Sequence, residues 1–332
     1  MSIDDKNVIL EIDGLQTYFY SSEGVAKAVD GASFSLSKGK VLGVVGESGC
    51  GKSVTAQSVM RLVPSPPGKI VGGRIMFDGK DLTKLSMAEM RHVRGDRISM
   101  IFQEPMTSLN PVFTIGDQLS EMFMLHRGMS RKDALDASVE MLARVQIPAP
   151  RARAREYPHQ LSGGMRQRAM IAMALSCEPE ILIADEPTTA LDVTVQAQIL
   201  DLIIKLKEDF GTAVEMITHD LGVIAETADS VVVMYAGRVV EQADTVELFE
   251  NTLHPYTRGL LDSTPILGRR TAGKFEKLNE IKGMVPSLYS LPKGCKFQER
   301  CPKAMPICSE REPQLTEIND SHAVRCWLHI PH

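Results

Sequence analysis

No apolar run in this 332-residue chain approaches the roughly 18 residues that a membrane-spanning helix needs. The longest, at 41–45, 181–184 and 231–235, have the length of buried strands. A basic surplus is missing too: 37 Lys and Arg stand against 42 Asp and Glu, for a formal net charge of −5. Nucleic-acid binders usually carry the opposite balance, so no nucleic acid is expected as a partner. The alternating Arg151, Arg153 and Arg155 read as a solvated face. The opening residues, MSIDDKNVIL, lack the charged-then-apolar pattern of a secretory leader. The chain is therefore expected to stay in the cytoplasm and to reach any membrane through partners. Internal repeats and sustained heptads are absent as well.

What is there is the balance of a soluble globular protein, 43% hydrophobic and 24% charged. The length suits one large domain with a small one appended, or two ordinary domains. The first forty or so residues alternate apolar and polar in short stretches punctuated by Gly14, Gly24, Gly31 and Gly39, which predicts antiparallel strands. From Val41 the rhythm becomes strand, glycine loop, helix, as in an α/β core with a parallel sheet. Val195, Ile199, Leu202, Ile203, Leu206 and Phe210 recur at helical spacing and Gly211 follows as a stop. Residues 231–241 predict a hairpin turning at Ala236-Gly237. Beyond about residue 262 the chain turns to Pro, Cys and short polar runs without a sustained period, and a domain boundary is placed there.

Gly46-Glu47-Ser48-Gly49-Cys50-Gly51-Lys52-Ser53 is a P-loop, set between an apolar strand and a helical stretch. Its glycines let backbone N–H groups curl around an anion, and the helix that follows presents its positive end to phosphates. Lys52 can reach the β- and γ-phosphates, and the Ser53 hydroxyl can ligate Mg²⁺. Ile181-Leu182-Ile183-Ala184 then runs into Asp185-Glu186. An acid at the end of a buried strand suits Mg²⁺, hence Asp185; a second acid one residue on suits polarisation of a water, hence Glu186 as general base.

Leu161-Ser162-Gly163-Gly164-Met165-Arg166-Gln167-Arg168 supplies a second glycine-rich helix start. This octapeptide resembles the signature motif of ABC-type ATPases, in which that helix end covers the γ-phosphate of ATP held by a neighbouring subunit. Gln103 matches the family's Q-loop, where it senses Mg²⁺. Ala190-Leu191-Asp192 matches the D-loop, and His219 the switch histidine that supports the γ-phosphate. Phe19 falls where the family stacks an aromatic on adenine, with Tyr18 and Tyr20 as neighbouring alternatives. Two positions depart from the pattern: Met165 replaces a glutamine, and Val54 stands where a second hydroxyl often touches the α-phosphate. The resemblance implies an α/β fold with a P-loop NTPase (RecA-like) core, an antiparallel β subdomain and a helical signature subdomain at about 104–168.

Residues 100–119, 156–168, 254–265, 285–308 and 322–327 are similar to the oligopeptide/dipeptide importer branch of that family. The implied division is an ATPase domain over 1–262 and a small Cys-rich C-terminal domain over 263–332. Four of six cysteines lie in that tail: Cys295, Cys301, Cys308 and Cys326, separated by five, six and seventeen residues. Zinc sites favour gaps of two to four, and ferredoxin-type clusters favour gaps of two, so spacing selects neither. The resemblance implies a [4Fe-4S] cluster, with structural zinc or four free buried thiols as alternatives. Cys50 and Cys177 read as plain small residues. Because the tail lies far in sequence from every ATP-site residue, loss of a cluster is expected to loosen the tail first and to affect ATP binding less. The implied partners are a second ABC ATPase, identical or similar, two permease chains that dock near 104–125, and an external solute-binding protein. The implied location is the cytoplasmic face of a bacterial or archaeal membrane, held peripherally. Other readings are a non-transport ABC ATPase with a redox- or metal-sensing tail, or an importer for nickel chelates or oligosaccharides.

Overall fold

A computed structural model describes residues 7–103, 108–189, 191–263 and 280–331. It divides into two compact units. The first is Met1–Ser35, Val41–Thr83 and Thr218–His332; the second is Leu36–Lys40 and Lys84–Ile217. The strands in chain order are β1 (Val8–Ser21), β2 (Gly24–Ser37), β3 (Val41–Val45), β4 (Gly68–Phe77), β5 (Lys80–Asp81) and β6 (Ile98–Ile101). They continue as β7 (Ile181–Asp185), β8 (Ala213–Thr218), β9 (Ser230–Tyr235), β10 (Arg238–Asp244), β11 (Thr316–Asn319) and β12 (His322–Val324). Among the described residues no helix is long and apolar enough to cross a membrane.

In the first unit, β1 and β4 pair antiparallel, with Leu10 opposite Phe77 and Phe19 opposite Gly68, in a sheet of order β2-β1-β4-β5. Leu10 and Ile12 face the core, and so do Leu15 and Thr17, although the parity changes between the pairs. The register shift between Asp13 and Gln16 supplies the extra residue, as a bulge must. A second group of strands is built on β3, whose five residues are all buried. β3 runs parallel to β9, with Val45 opposite Val233, and β9 turns back into β10 through Ala236 (φ 44°) and Gly237 (φ 79°). That is the hairpin the sequence predicts.

The tail belongs to this same unit. β12 pairs antiparallel with β10, Ala323 opposite Gln242, and β11 pairs with β12. The sequence shows no long helix or strand pattern here; at four and three residues, these two are too short to show a period. Phe297, 2% exposed, anchors the tail. Its ring centroid lies 5.2 Å from that of Tyr235, 5.4 Å from Tyr256 and 5.8 Å from His254, within the range of favourable aromatic contact. The boundary placed at about residue 262 adjoins residues 264–279, which lie outside the described residues.

In the second unit β6, β7 and β8 are parallel neighbours, Ile98 opposite Ile181 and Ile181 opposite Ala213. Parallel strands covered on both faces need continuous apolar runs, and Ile181-Leu182-Ile183-Ala184 is such a run. The helices around them start on side-chain caps. Thr114, Ser130, Ser162 and Asp192 each accept a hydrogen bond from the backbone N–H three residues on. The helix Val193–Phe210 buries Ile199, Leu202, Ile203 and Leu206 and ends on Gly211 at φ 69°, as its sequence stripe predicts.

One strand residue breaks the apolar pattern. Glu215 in β8 is fully buried, and neither carboxyl oxygen finds a hydrogen-bond partner among the described residues. Burial first, and the Asp185 charge second, push its carboxyl from 4.5 up to about 8. The folded chain therefore holds a proton that the unfolded chain releases above pH 4.5. Stability should fall as pH rises from about 4.5 to about 8, by at most about 1.4 kcal/mol per pH unit. Glu215→Gln should remove that slope: the melting temperatures of mutant and parent should agree near pH 5 and separate by several degrees at pH 8. A pH-independent difference would show that Glu215 is not the titrating group.

Candidate active site

The P-loop follows β3 directly and leads into the helix Lys52–Val59. Gly46, Gly49 and Gly51 have φ of 151°, 78° and 106°, which L side chains rarely adopt. Two are also sterically required. A Cβ on Gly46 would lie 2.3 Å from the Met234 carbonyl oxygen, and one on Gly51 would lie 2.4 Å from that of Ala28. Ser48 and Gly49 are exposed at the loop's tip, while Cys50 is buried and its thiol is pushed up by burial. Gly51, at the N-cap of this helix, has no side chain with which to cap it. An uncapped start after a bent glycine loop is a cradle for phosphate. Lys52, 5% exposed, folds back so that Nζ donates to the carbonyls of Gly46 (2.7 Å) and Glu47 (3.2 Å).

Other predicted residues of the first unit take distinct positions. Tyr18 donates its hydroxyl to Asp30 at 2.5 Å, and burial, then Asp30, raises it to about 12. Phe19 points to the other face of β1, where a Cβ on Gly68 would come within 2.9 Å of its ring; Tyr20 is exposed. His219 is exposed just after β8.

In the second unit Asp185 ends β7 at 3% exposure, and Glu186 turns sharply at φ 46°. Its N–H bonds the Ile217 carbonyl, which holds the bend. Gln103 donates its side-chain amide to Glu186 Oε2 at 3.0 Å, and the Thr189 hydroxyl donates to the same oxygen at 2.9 Å. The fold thus brings together two residues that lie eighty-three positions apart. Thr189 was missed by sequence reasoning; its place three residues after Glu186 was the available signal. Ser162 is exposed and caps the helix Gly163–Leu175 through the Met165 N–H. Among the described residues, a Cβ on Gly163 would meet nothing within 4 Å, and one on Gly164 would meet only Val195. Asp192 caps the helix Val193–Phe210. Ala190 of the D-loop, and residues 104–107 at the start of the expected permease-docking stretch, lie outside the described residues.

The tail lies far from the P-loop in sequence but not in space. Arg300 pairs with Glu47 through two hydrogen bonds, and the Tyr256 hydroxyl accepts from the Glu47 N–H at 2.8 Å. Distance along the chain did not translate into distance in space. Both residues sit in the segments 254–265 and 285–308, whose family likeness was the available signal. The cysteines are not assembled as a metal site: among the described residues, no three Cys, His, Asp or Glu are grouped to hold a metal. The thiols are neighbours, since Cys295 feels Cys308, Cys326 and Cys301. Burial pushes Cys295 up to about 12 and Cys326 to about 11. Cys308 Sγ accepts from the Met305 N–H at 3.4 Å. Neither a [4Fe-4S] cluster nor zinc is supported by this arrangement.

Comparison with known proteins agrees with the motifs. The profile of the ABC transporter family matches residues 29–189, and that of the oligopeptide/dipeptide transporter C-terminal region matches 240–308. The chain is 55% identical over 321 residues to a protein of Sinorhizobium fredii named probable peptide ABC transporter ATP-binding protein y4tR, covering 97% of this chain and 95% of that one. It is 52% identical to the dipeptide transport ATP-binding protein DppD of Bacillus subtilis, over 96% and 94% of the two chains. A solved dimeric ATP-binding cassette in a post-hydrolysis state, bound to ADP and Pi, superposes with a TM-score of 0.64 at 27% identity, over 71% of this chain and 98% of that one. The chain belongs to the ABC transporter family, in its oligopeptide/dipeptide branch. It is an ATP-binding subunit that hydrolyses ATP to power transport.

Proposed function

We propose that this chain drives the import of dipeptides or oligopeptides as one of two ATPases, identical or similar, that meet head to tail beneath two permease chains. A solute-binding protein outside the membrane delivers the cargo, and the ATPase sits peripherally on the cytoplasmic face. The observation that carries the cargo class is the C-terminal family match over 240–308, joined to relatives named for peptide transport along almost the whole chain. The proposed organisation is an ATPase domain over 1–262 and a C-terminal domain over 263–332.

In this reading the N–H groups of Gly46 to Val54 take the phosphates, and Lys52 leaves the Gly46 and Glu47 carbonyls for the β- and γ-phosphates. Phe19 stacks on adenine. Ser53, Asp185 and Gln103 offer hydroxyl, carboxylate and amide oxygen, the hard donors that Mg²⁺ prefers. The ion, when bound, neutralises charge on the transferring phosphoryl group. Glu186 takes a proton from the attacking water, held in place by Gln103 and Thr189, and His219 supports the γ-phosphate. Ser162, Gly163 and Gly164 meet the γ-phosphate of ATP on the other subunit, and Asp192 lines that junction. The open space at Gly163 supports this role, because nothing among the described residues requires a glycine there. Cys295, Cys301, Cys308 and Cys326 are proposed to hold a [4Fe-4S] cluster, with zinc as the alternative; the tail's likeness to the oligopeptide/dipeptide C-terminal region supports this.

Deleting the gene should abolish uptake of labelled di- and oligopeptides by the host, and plasmid-borne parent should restore it; unchanged uptake would reject peptide cargo. Glu186→Gln should leave ATP affinity within about twofold while lowering turnover by about 10²–10⁴-fold, since only the base is lost. Near-normal hydrolysis by the purified variant would remove Glu186 from that role. Protein purified without oxygen should be brown, with about four irons per chain. One zinc per chain without iron would select the zinc alternative, and neither metal would leave four buried thiols.

A further inference from the structure

Glu47, the second residue of the P-loop, is held from two sides by residues beyond position 250. The Tyr256 hydroxyl accepts its backbone N–H at 2.8 Å. The Arg300 guanidinium meets its carboxylate with two prongs, Nη1 to Oε2 at 2.5 Å and Nη2 to Oε1 at 2.9 Å. Arg300 is itself fixed. Its side chain is 5% exposed, Nε donates to the Lys282 carbonyl at 3.1 Å, and Nη2 donates to that of Ile281 at 3.2 Å. The guanidinium lies 5.8 Å from the Tyr235 ring and 6.0 Å from that of Phe297, within cation–π reach. A two-pronged pair on an enclosed arginine is directional in a way that an exposed ion pair is not.

The peptide segment so held carries the carbonyls of Gly46 and Glu47, from which Lys52 must depart when a phosphate arrives. Its conformation also sets where the next N–H groups of the loop point. We propose that Arg300 of the C-terminal module and Tyr256 just ahead of that module form a clamp that positions the P-loop, making the module a working part of the nucleotide site. Arg300 touches no nucleotide in this arrangement; it acts through Glu47 as a positioning residue. Because coupling is reciprocal, nucleotide on the loop tightens the module as much as the module favours nucleotide. The proposal rests on the P-loop being the ATP site, which Lys52→Ala tests separately.

The experiment compares full-length parent, Arg300→Met, Arg300→Lys, Glu47→Gln and the Arg300→Met/Glu47→Gln double variant. Titration with a fluorescent ATP analogue gives the affinity, and a melt without nucleotide reports the fold. Arg300→Met and Glu47→Gln should each weaken binding about tenfold, and the double variant should be no weaker than either by more than about twofold. Arg300→Lys should fall between, because an ammonium cannot reproduce the fork. ATP should slow proteolysis within 280–331 in the parent and not in Arg300→Met. Affinities unchanged within twofold, with only the melting temperature lowered, would reduce the pair to a structural staple and overturn the proposal. Additive losses in the double variant would overturn it as well. If Arg300→Met does not fold, Glu47→Gln on the loop carries the test. ATP bound normally by Lys52→Ala would instead reject the P-loop as the site, a failure distinct from that of the clamp.

Discussion

Backbone N–H groups can grip a phosphate only where the chain bends without side chains in front of it, and that bend has to be held rigid by something else. At Gly46 and Gly51 the holding atoms are backbone carbonyls, those of Met234 in β9 and Ala28 in β2, so close that no Cβ fits between. The loop is therefore shaped by strands that enter the chain some 180 residues later as well as by the strands beside it. The Cys50 carbonyl accepts from the Gly237 N–H at the tip of the β9–β10 hairpin, which ties the loop to the same turn.

From that hairpin the dependence passes outward into the tail. Glu241 in β10 is fully buried, and its carboxylate accepts the N–H groups of Leu253 and His254 and faces His322 Nε2 at 2.8 Å. Burial lowers His254 to about 4, so its ring is neutral and Nδ1 can accept from the Tyr256 N–H. The helix Pro255–Asp262 thus begins at a fixed place, with Tyr256 turned toward the P-loop. One buried carboxylate orders β12, that helix start and, through Tyr256, the loop at Glu47. Buried charge is tolerable because each of its oxygens is partnered.

The second unit uses a different device. Glu186 stands at φ 46°, a conformation costly for a residue with a side chain, at the end of a strand buried along its length. Such strain persists where surrounding bonds over-determine it: the Ile217 carbonyl fixes its backbone, and Gln103 and Thr189 fix its carboxylate. In its proposed role as general base, Glu186 needs that restraint, because a proton transfer is sensitive to the placement of a single oxygen.

Much of this protein is determined locally and was readable in its order of residues. A glycine-lysine loop after five apolar residues, an Asp-Glu pair after four more, a helix with a 3.6-residue apolar stripe and the hairpin at Ala236-Gly237 depend on neighbours in the chain, so their patterns survive in one dimension. What tertiary structure alone decided are the pairings across long separations. Arg300 reaches Glu47 253 positions away, Gln103 reaches Glu186 over 83, and the short β11 and β12 extend from β10. The cysteines make the same point: gaps of five, six and seventeen residues select no ligand, and only folding sets Cys295 beside Cys301, Cys308 and Cys326. A lone arginine, a three-residue strand or four widely spaced thiols carry no periodicity, and their roles come from burial and from the partners that folding sets beside them.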